Sequence, residues 1–95
     1  MKPELIYEHP HPFSYGGANY QVSVYGVERQ DGTWSGWLQF RDAKTGVTTK
    51  TGQETSQPNR NALAYWASGV EDVYLEGALR RIERGEAPTD VRPDA

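Results

Sequence analysis

Residues 20–41, YQVSVYGVERQDGTWSGWLQFR, decide the fold of this chain. Apolar and polar side chains alternate along both halves of the segment, which is typical of strands with one buried face. Between the halves stands Gln30-Asp31-Gly32, a sequence that favours a tight turn. The segment therefore predicts an antiparallel β-hairpin.

The register of this hairpin follows from the alternation. A two-residue loop at 31–32 would place Val24 opposite Gln39 and would pair apolar with polar residues throughout. A three-residue loop at 30–32, with Gly32 in the left-handed conformation, pairs apolar residues with apolar ones. The pairs predicted by the second register are Arg29 with Thr33, Val24 with Leu38, and Val22 with Phe40.

The second register gives the hairpin two unlike faces. The apolar face, which should lie against the core, consists of Tyr20, Val22, Val24, Trp34, Leu38 and Phe40. The other face is mostly polar and consists of Gln21, Ser23, Tyr25, Val27, Ser35, Trp37, Gln39 and Arg41. Gly26 falls opposite Gly36, so the sheet should be thin at that point.

The next segments extend the sheet and then begin a helix. Residues 42–46 form a second turn, and the β-branched run 47–51 predicts a third strand at a partly exposed edge. A helix is predicted over 56–68, because Ser56 is a favourable N-cap and Pro58 is tolerated in a first turn.

The helical third shows two apolar stripes that are out of phase. The first stripe is Leu63, Trp66, Ala67 and Val70, and the second is Leu75, Ala78, Leu79 and Ile82. One straight helix cannot bury both on the same side, so we expect a break or sharp kink near 68–70. Gly69 can end the first helix, and Ser68 with Glu71 has the form of a capping box for the second. The second helix should end near Arg84, with Gly85 as its cap.

The predicted fold class is α+β. A small antiparallel meander of three strands, or four if the N-terminal segment adds one, is followed by the broken helical segment packed on one sheet face. The predicted organisation is an extended arm over 1–19, one domain over 20–85 and a disordered tail over 86–95. The arm has two open alternatives: it adds an edge strand, or it folds over the polar face and brings Phe13 or Tyr15 onto Trp37.

Composition excludes several classes of function. The chain has 95 residues, a formal net charge of −3 and no cysteine. Disulfides, thiolate nucleophiles and cysteine-ligated metals are thus excluded, and strong general nucleic-acid binding is disfavoured because it needs clustered cations. No apolar run approaches the ~20 residues that span a bilayer, and the N-terminus lacks a signal-peptide core. We therefore expect a soluble, cytoplasmic protein without membrane contact.

One group of residues is a candidate binding site. Tyr25 and Trp37 form a cross-strand aromatic pair on the polar face, with Arg41 on the same face. Exposed aromatic rings can stack unpaired bases, and an arginine can reach a phosphate. Two plainer interpretations compete: the arm or a second protomer covers the pair.

Catalytic and metal sites have little support in the sequence. Glu8, His9 and His11 contain metal-ligating side chains, but a proline-rich arm with solvated histidines explains them more simply. No nucleophile elbow, dinucleotide fingerprint, P-loop or metal-binding helix motif occurs. We therefore predict no cofactor, no metal and no catalytic residue.

The functional prediction is a small non-enzymatic interaction or accessory protein. It would act through a protein partner or as a homodimer, since the fold is small, aromatic-rich and open at its sheet edges. The first alternative is a single-stranded nucleic-acid binding module that uses the aromatic face. The second is a small enzyme whose site forms only at a dimer interface.

Overall fold

The computed structural model describes residues 2–85. In chain order the elements are β1 (Glu4–Glu8), β2 (Phe13–Tyr15), β3 (Ala18–Glu28), β4 (Trp34–Asp42), β5 (Thr48–Lys50), β6 (Thr55–Gln57), α1 (Arg60–Ser68) and α2 (Asp72–Glu83). The predicted α+β class is confirmed: one antiparallel sheet carries two helices. The predicted tail over 86–95 lies outside the described residues.

The sheet has six strands at four positions. The two long strands, β3 and β4, lie at the centre. Two short strands, β1 and β2, share the outer position along β3, and β5 and β6 share the outer position along β4. The predicted count of three or four strands was too low, because each outer position is divided by an irregular segment. The N-terminal segment supplies two of the additional strands.

The register of the central hairpin is confirmed at every predicted pair. Val24 lies opposite Leu38, and Val22 lies opposite Phe40. The loop has three residues, and Gly32 takes φ 87° at the left-handed position. The Arg29 amide donates to the carbonyl of the residue after this glycine at 2.7 Å, which closes the loop.

The first helix begins later than predicted. Ser56 belongs to β6, where it pairs with Ser35 of β4. The N-cap is Asn59, whose side chain accepts a hydrogen bond from the Ala62 amide at 2.8 Å. Serine and asparagine are about equally good caps, so local preference could not choose between them. Pairing with β4 keeps residues 55–57 extended and decides the boundary.

The predicted break between the helices is confirmed, but its predicted capping box is wrong. Gly69 follows α1, and its amide donates to the Trp66 and Ala67 carbonyls. Glu71 is the residue before α2 and makes no side-chain capping bond. The Ser68 hydroxyl instead donates back to the Tyr65 carbonyl at 2.8 Å.

The core lies between the helices and the apolar face of the sheet. Its buried members are Phe13, Val22, Val24, Leu38, Phe40, Leu63, Ala67, Leu75, Ala78 and Leu79. Both predicted helical stripes therefore face the same sheet surface. Among residues 2–85, no helix is long and apolar enough to cross a membrane.

Two glycines of the central strands let α1 approach the sheet closely. Gly26 and Gly36 are register partners, and Leu63 of α1 inserts its side chain between them. A Cβ added at Gly36 would lie 2.6 Å from Leu63 Cδ1, and one at Gly26 would collide with Leu63 Cδ2. The Leu63 side chain of α1 therefore packs at the thin place that the sequence predicted in the sheet.

Candidate functional site

The sheet face opposite the helices, here called the open face, carries the three predicted binding residues. Tyr25 and Trp37, here called the aromatic pair, are direct partners in the two central strands. Arg41 lies farther along β4, opposite Gln21. Four strand residues span about 13 Å. The structure therefore brings Tyr25 and Trp37 together and places Arg41 on the same face, separate from them.

The N-terminal arm does not cover the aromatic pair. Phe13 is buried on the helix side of the sheet, where its ring centroid lies 6.3 Å from that of Phe40. The Tyr15 hydroxyl donates to Glu83 Oε1 of α2 at 2.9 Å. The alternative in which Phe13 or Tyr15 folds onto Trp37 was wrong, because both residues pack on the opposite face. The arm adds strands at the sheet edge instead.

The open face carries more positive than negative charge. The strand register places Arg41 and Lys50 on it, and Glu8 is the strand carboxylate on the same face. Arg29, the residue after β3, continues the alternation to the same side. Arg29 donates to the Gln53 side chain. Within residues 2–85, the side chains of Arg41 and Lys50 make no hydrogen bond or ion pair. These two cations are available to an external anion.

A second surface, here called the joint groove, lies where α1 meets α2. It is an open groove of about 480 Å³. Its lining includes Tyr65, Trp66, Val70, Glu71, Val73 and Tyr74. Most of these side chains are apolar or aromatic, which is typical of a binding cleft.

The apolar lining of the joint groove is unusually exposed for a small domain. Tyr65 is 83% exposed and Val73 is 75% exposed. The rings of Trp66 and Tyr74 meet edge to face, with centroids 6.0 Å apart. Trp66 and Tyr74 thus form a rigid side of the groove next to the exposed residues, since aromatic rings in contact have few alternative conformations.

The rim of the joint groove is negatively charged. Glu71 is the charged residue of the lining, whereas Asp72, the next residue, lines the separate cleft around His9. The carbonyl end of α1 points to the same place, and a helix C-terminus carries partial negative charge. No lysine or arginine of the described chain lines the groove. The groove therefore suits an apolar group that has a cation beside it.

A buried carboxylate holds one wall of the joint groove in place. The Glu54 side chain is only 4% exposed, and its oxygens accept two hydrogen bonds from Arg81 at 3.1 and 3.2 Å. Glu54 Oε1 also accepts from the Tyr74 hydroxyl at 2.5 Å. Burial, followed by the hydrogen bond and the charge of Glu54, raises the pKa of Tyr74 to about 12. The Tyr74 hydroxyl therefore stays protonated and bonded to Glu54, which holds the tyrosine ring in place beside the groove.

Sequence reasoning missed the joint groove for a physical reason. Tyr65, Val73 and Tyr74 lie outside both apolar stripes, so the helical pattern gave them no predicted role. The groove exists only because the two helices meet at an angle that helical periodicity does not specify. The sequence indicated this groove only through aromatic and β-branched residues that lie outside the two apolar stripes.

His9 and His11 line a separate cleft of about 290 Å³, here called the histidine cleft, between β1, β2 and the helix joint. Burial lowers the pKa of His9, and the charge of Asp72 opposes this shift. Within the described part of the chain, His9 Nε2 is buried without a hydrogen-bond partner. Glu8 points to the open face, away from His9, and residues 2–85 contain no group of three or more ligands that could hold a metal.

Comparisons with models of known protein families, with curated proteins and with solved structures found no significant match.

Proposed function

We propose that this chain is a small non-enzymatic interaction protein whose joint groove binds a protein partner. The observation that carries the proposal is the exposed apolar lining at the joint of α1 and α2, where Tyr65 is 83% exposed and Val73 is 75% exposed. Exposed apolar side chains grouped around a groove mark interaction sites more often than scattered ones do. The absence of cysteine suits a partner in the cytoplasm.

The charge of the groove specifies the chemistry of the partner. Glu71 stands at the rim, beside the carbonyl end of α1. A partner segment with one large apolar side chain next to Lys or Arg would fill the groove and meet the Glu71 carboxylate. A second copy of the chain fits less well, because a two-fold arrangement would place Glu71 close to its own equivalent.

The structure of the histidine cleft supports a non-enzymatic role. Ser68 is the serine in the cleft lining, and it donates to the Tyr65 carbonyl rather than to a histidine. A serine nucleophile needs a base within hydrogen-bond reach. The cleft therefore offers no activated serine for acyl transfer.

Selection from a random 16-residue peptide library displayed on phage would test the proposal. We expect enriched peptides that share a large apolar residue next to Lys or Arg. Their binding should be lost with Val73→Asp and weakened by added salt, since both apolar contact and charge contribute. Val47→Asp is the matched control, because Val47 is 62% exposed on a turn outside the groove.

Three results would overturn this function. One is a failure to enrich any peptide family. Another is enrichment of peptides whose binding is unchanged by Val73→Asp. The third is a dimer, seen by sedimentation, that dissociates in Val73→Asp, since the groove would then hold a second copy of the chain.

A further inference from the structure

The open face has the chemistry of a surface that binds single-stranded nucleic acid, and we propose that it does so. This second activity uses a different surface from the joint groove and does not depend on the function proposed above. The aromatic pair supplies stacking surfaces, and Arg41, Lys50 and Arg29 supply contacts to phosphates.

The position of the aromatic pair in the sheet is the first argument. Tyr25 and Trp37 lie side by side on the two central strands, and the helices of the described chain pack on the other face. Both rings are half-buried, with the apolar Leu5 of β1 opposite Tyr25 and the short polar Ser23 and Ser35 nearby on the same face. Rings presented in this way on a sheet accept unpaired bases by stacking, whereas paired bases in a duplex keep their faces covered.

The placement of the cations is the second argument. Lys50 lies opposite Gln39, one step beyond Trp37 along the same face, and Arg41 lies one further step along β4. Arg29 stands at the other end of the hairpin, beyond Tyr25. The cations thus flank the aromatic pair along a path of roughly 27 Å, estimated from about eight strand residues. Such a path suits a strand of several nucleotides.

The distribution of charge answers the objection raised by the net charge of −3. Several carboxylates are engaged away from the open face. Glu4 pairs with Arg60, and Glu76 pairs with Arg80. The open face keeps three cations against Glu8, and two of those cations have no partner within residues 2–85. A locally positive surface attracts a polyanion even when the whole chain is acidic.

The aromatic pair also favours nucleic acid over an acidic protein segment. A peptide rich in Asp and Glu could satisfy Arg41 and Lys50, but it would leave Tyr25 and Trp37 without stacking partners. Gln39 adds an amide group on the same face, and this amide can both donate to and accept from a base edge.

The test is a titration of the whole chain with 12-nucleotide oligothymidine and oligouridine, followed by tryptophan fluorescence and by amide NMR. We expect salt-sensitive binding in which the Trp37 indole signal shifts. Three phosphate contacts on a single strand predict a slope of log K against log salt of about −2. Trp37→Ala should weaken binding about tenfold or more, and Trp37→Phe should retain most of it.

Charge variants keep the test independent of any folding defect in Trp37→Ala. Arg41→Gln and Lys50→Gln change exposed side chains, and each should reduce the salt slope by about 0.7. Arg80→Gln is the matched control, because Arg80 pairs with Glu76 on α2. Val73→Asp should leave oligonucleotide binding unchanged, which separates this inference from the joint groove.

Several outcomes would overturn the inference. Absence of oligonucleotide binding at low salt is one, and equal binding of duplex DNA is another. Equal binding of a 12-residue polyglutamate peptide would show a surface for acidic protein segments instead. Binding that is unchanged by Arg41→Gln, Lys50→Gln and Trp37→Ala, but lost in Arg80→Gln, would place the site on the helices.

Discussion

A single residue, Leu63, sets how closely the helices approach the sheet. Its fully buried side chain sits against Gly36, where an added Cβ would lie 2.6 Å from Leu63 Cδ1 and 3.2 Å from Thr55 Cγ2. Gly36→Ala should therefore lower the free energy of unfolding by about 1–3 kcal/mol, because the buried leucine has no free space to move into. Urea unfolding followed by circular dichroism measures the change.

Gly77 provides the opposite case and serves as the control. It lies inside α2, and a Cβ added there would meet nothing within 4 Å. Gly77→Ala should raise the free energy of unfolding by about 0.5–1 kcal/mol, because alanine favours the helical conformation. Equal effects of the two substitutions would contradict the close approach of Leu63.

The Thr51 side chain replaces a backbone hydrogen bond to β4 in the gap between β5 and β6. Its Oγ1 accepts from the Leu38 amide at 3.0 Å and donates to the Gly52 carbonyl at 2.9 Å, and the residue is buried. Thr51→Val should cost about 1–3 kcal/mol, because it leaves the Leu38 amide buried without a partner. Thermal unfolding tests this against Thr48→Val, an exposed position in β5 that should change stability by less than about 0.5 kcal/mol. A similar loss in both variants would refute the role of the Thr51 hydroxyl.

At the scale of elements, α2 is joined to the segment before β6 by Glu54, Tyr74 and Arg81. The pKa of Tyr74 is raised to about 12 in the folded chain, whereas tyrosine in an unfolded chain titrates near pH 10. A raised pKa means that the neutral form is favoured by folding. The stabilisation is therefore complete below about pH 10 and is lost as the pH rises through about 12.

The pH dependence of Tyr74→Phe tests this link. We expect the wild-type chain to be more stable than Tyr74→Phe below pH 10, and the difference to shrink between pH 10 and 12. The hydrogen bond from Tyr15 to Glu83 raises the pKa of Tyr15 as well, so only the difference between the two chains isolates Tyr74. Urea midpoints measured at pH 9, 10.5 and 11.5 give this difference. A difference that stays constant with pH would count against the Glu54 contact.

Elements defined by local pattern could be predicted, and those defined by distant pairing could not. The hairpin register followed from alternation within residues 20–41, because one wrong step would turn every apolar side chain outward. The helix break followed from two stripes out of phase. By contrast, Ser56 is extended because it pairs with Ser35, which is 21 positions earlier in the chain. Local capping preference contains no information about that contact.

The candidate surfaces show the same division. Register alone placed Tyr25 beside Trp37 on one face, and the structure has them as direct partners. The binding role of Tyr25, Trp37 and Arg41 remains a prediction. The joint groove was missed because Tyr65 and Val73 come together through the angle between two helices. A surface made by tertiary packing is not encoded in any single periodic segment.

At the scale of the whole molecule, the N-terminal segment 2–19 belongs to the same core as the rest of the described chain. Phe13 is buried among the core residues, and Ile6 and Tyr7 pack against them. Glu4 pairs with Arg60 of α1 at 2.8 Å, so the segment also touches the helical layer. The backbone edge of β3 is occupied by β1 and β2.

Two truncated chains should therefore behave in opposite ways. A chain of residues 20–95 lacks Phe13 and also lacks β1 and β2, which pair with the edge of β3. It should therefore lose its cooperative unfolding transition. A chain of residues 1–85 should keep the full-length urea midpoint, since the buried core residues within the described range 2–85 lie between Phe13 and Leu79. Phe13→Ala isolates the packing contribution and should cost about 3–5 kcal/mol. If the 20–95 chain unfolded at the full-length midpoint, β1 and β2 would be additions to a self-sufficient domain, and the contacts of Phe13 would not stabilise the fold.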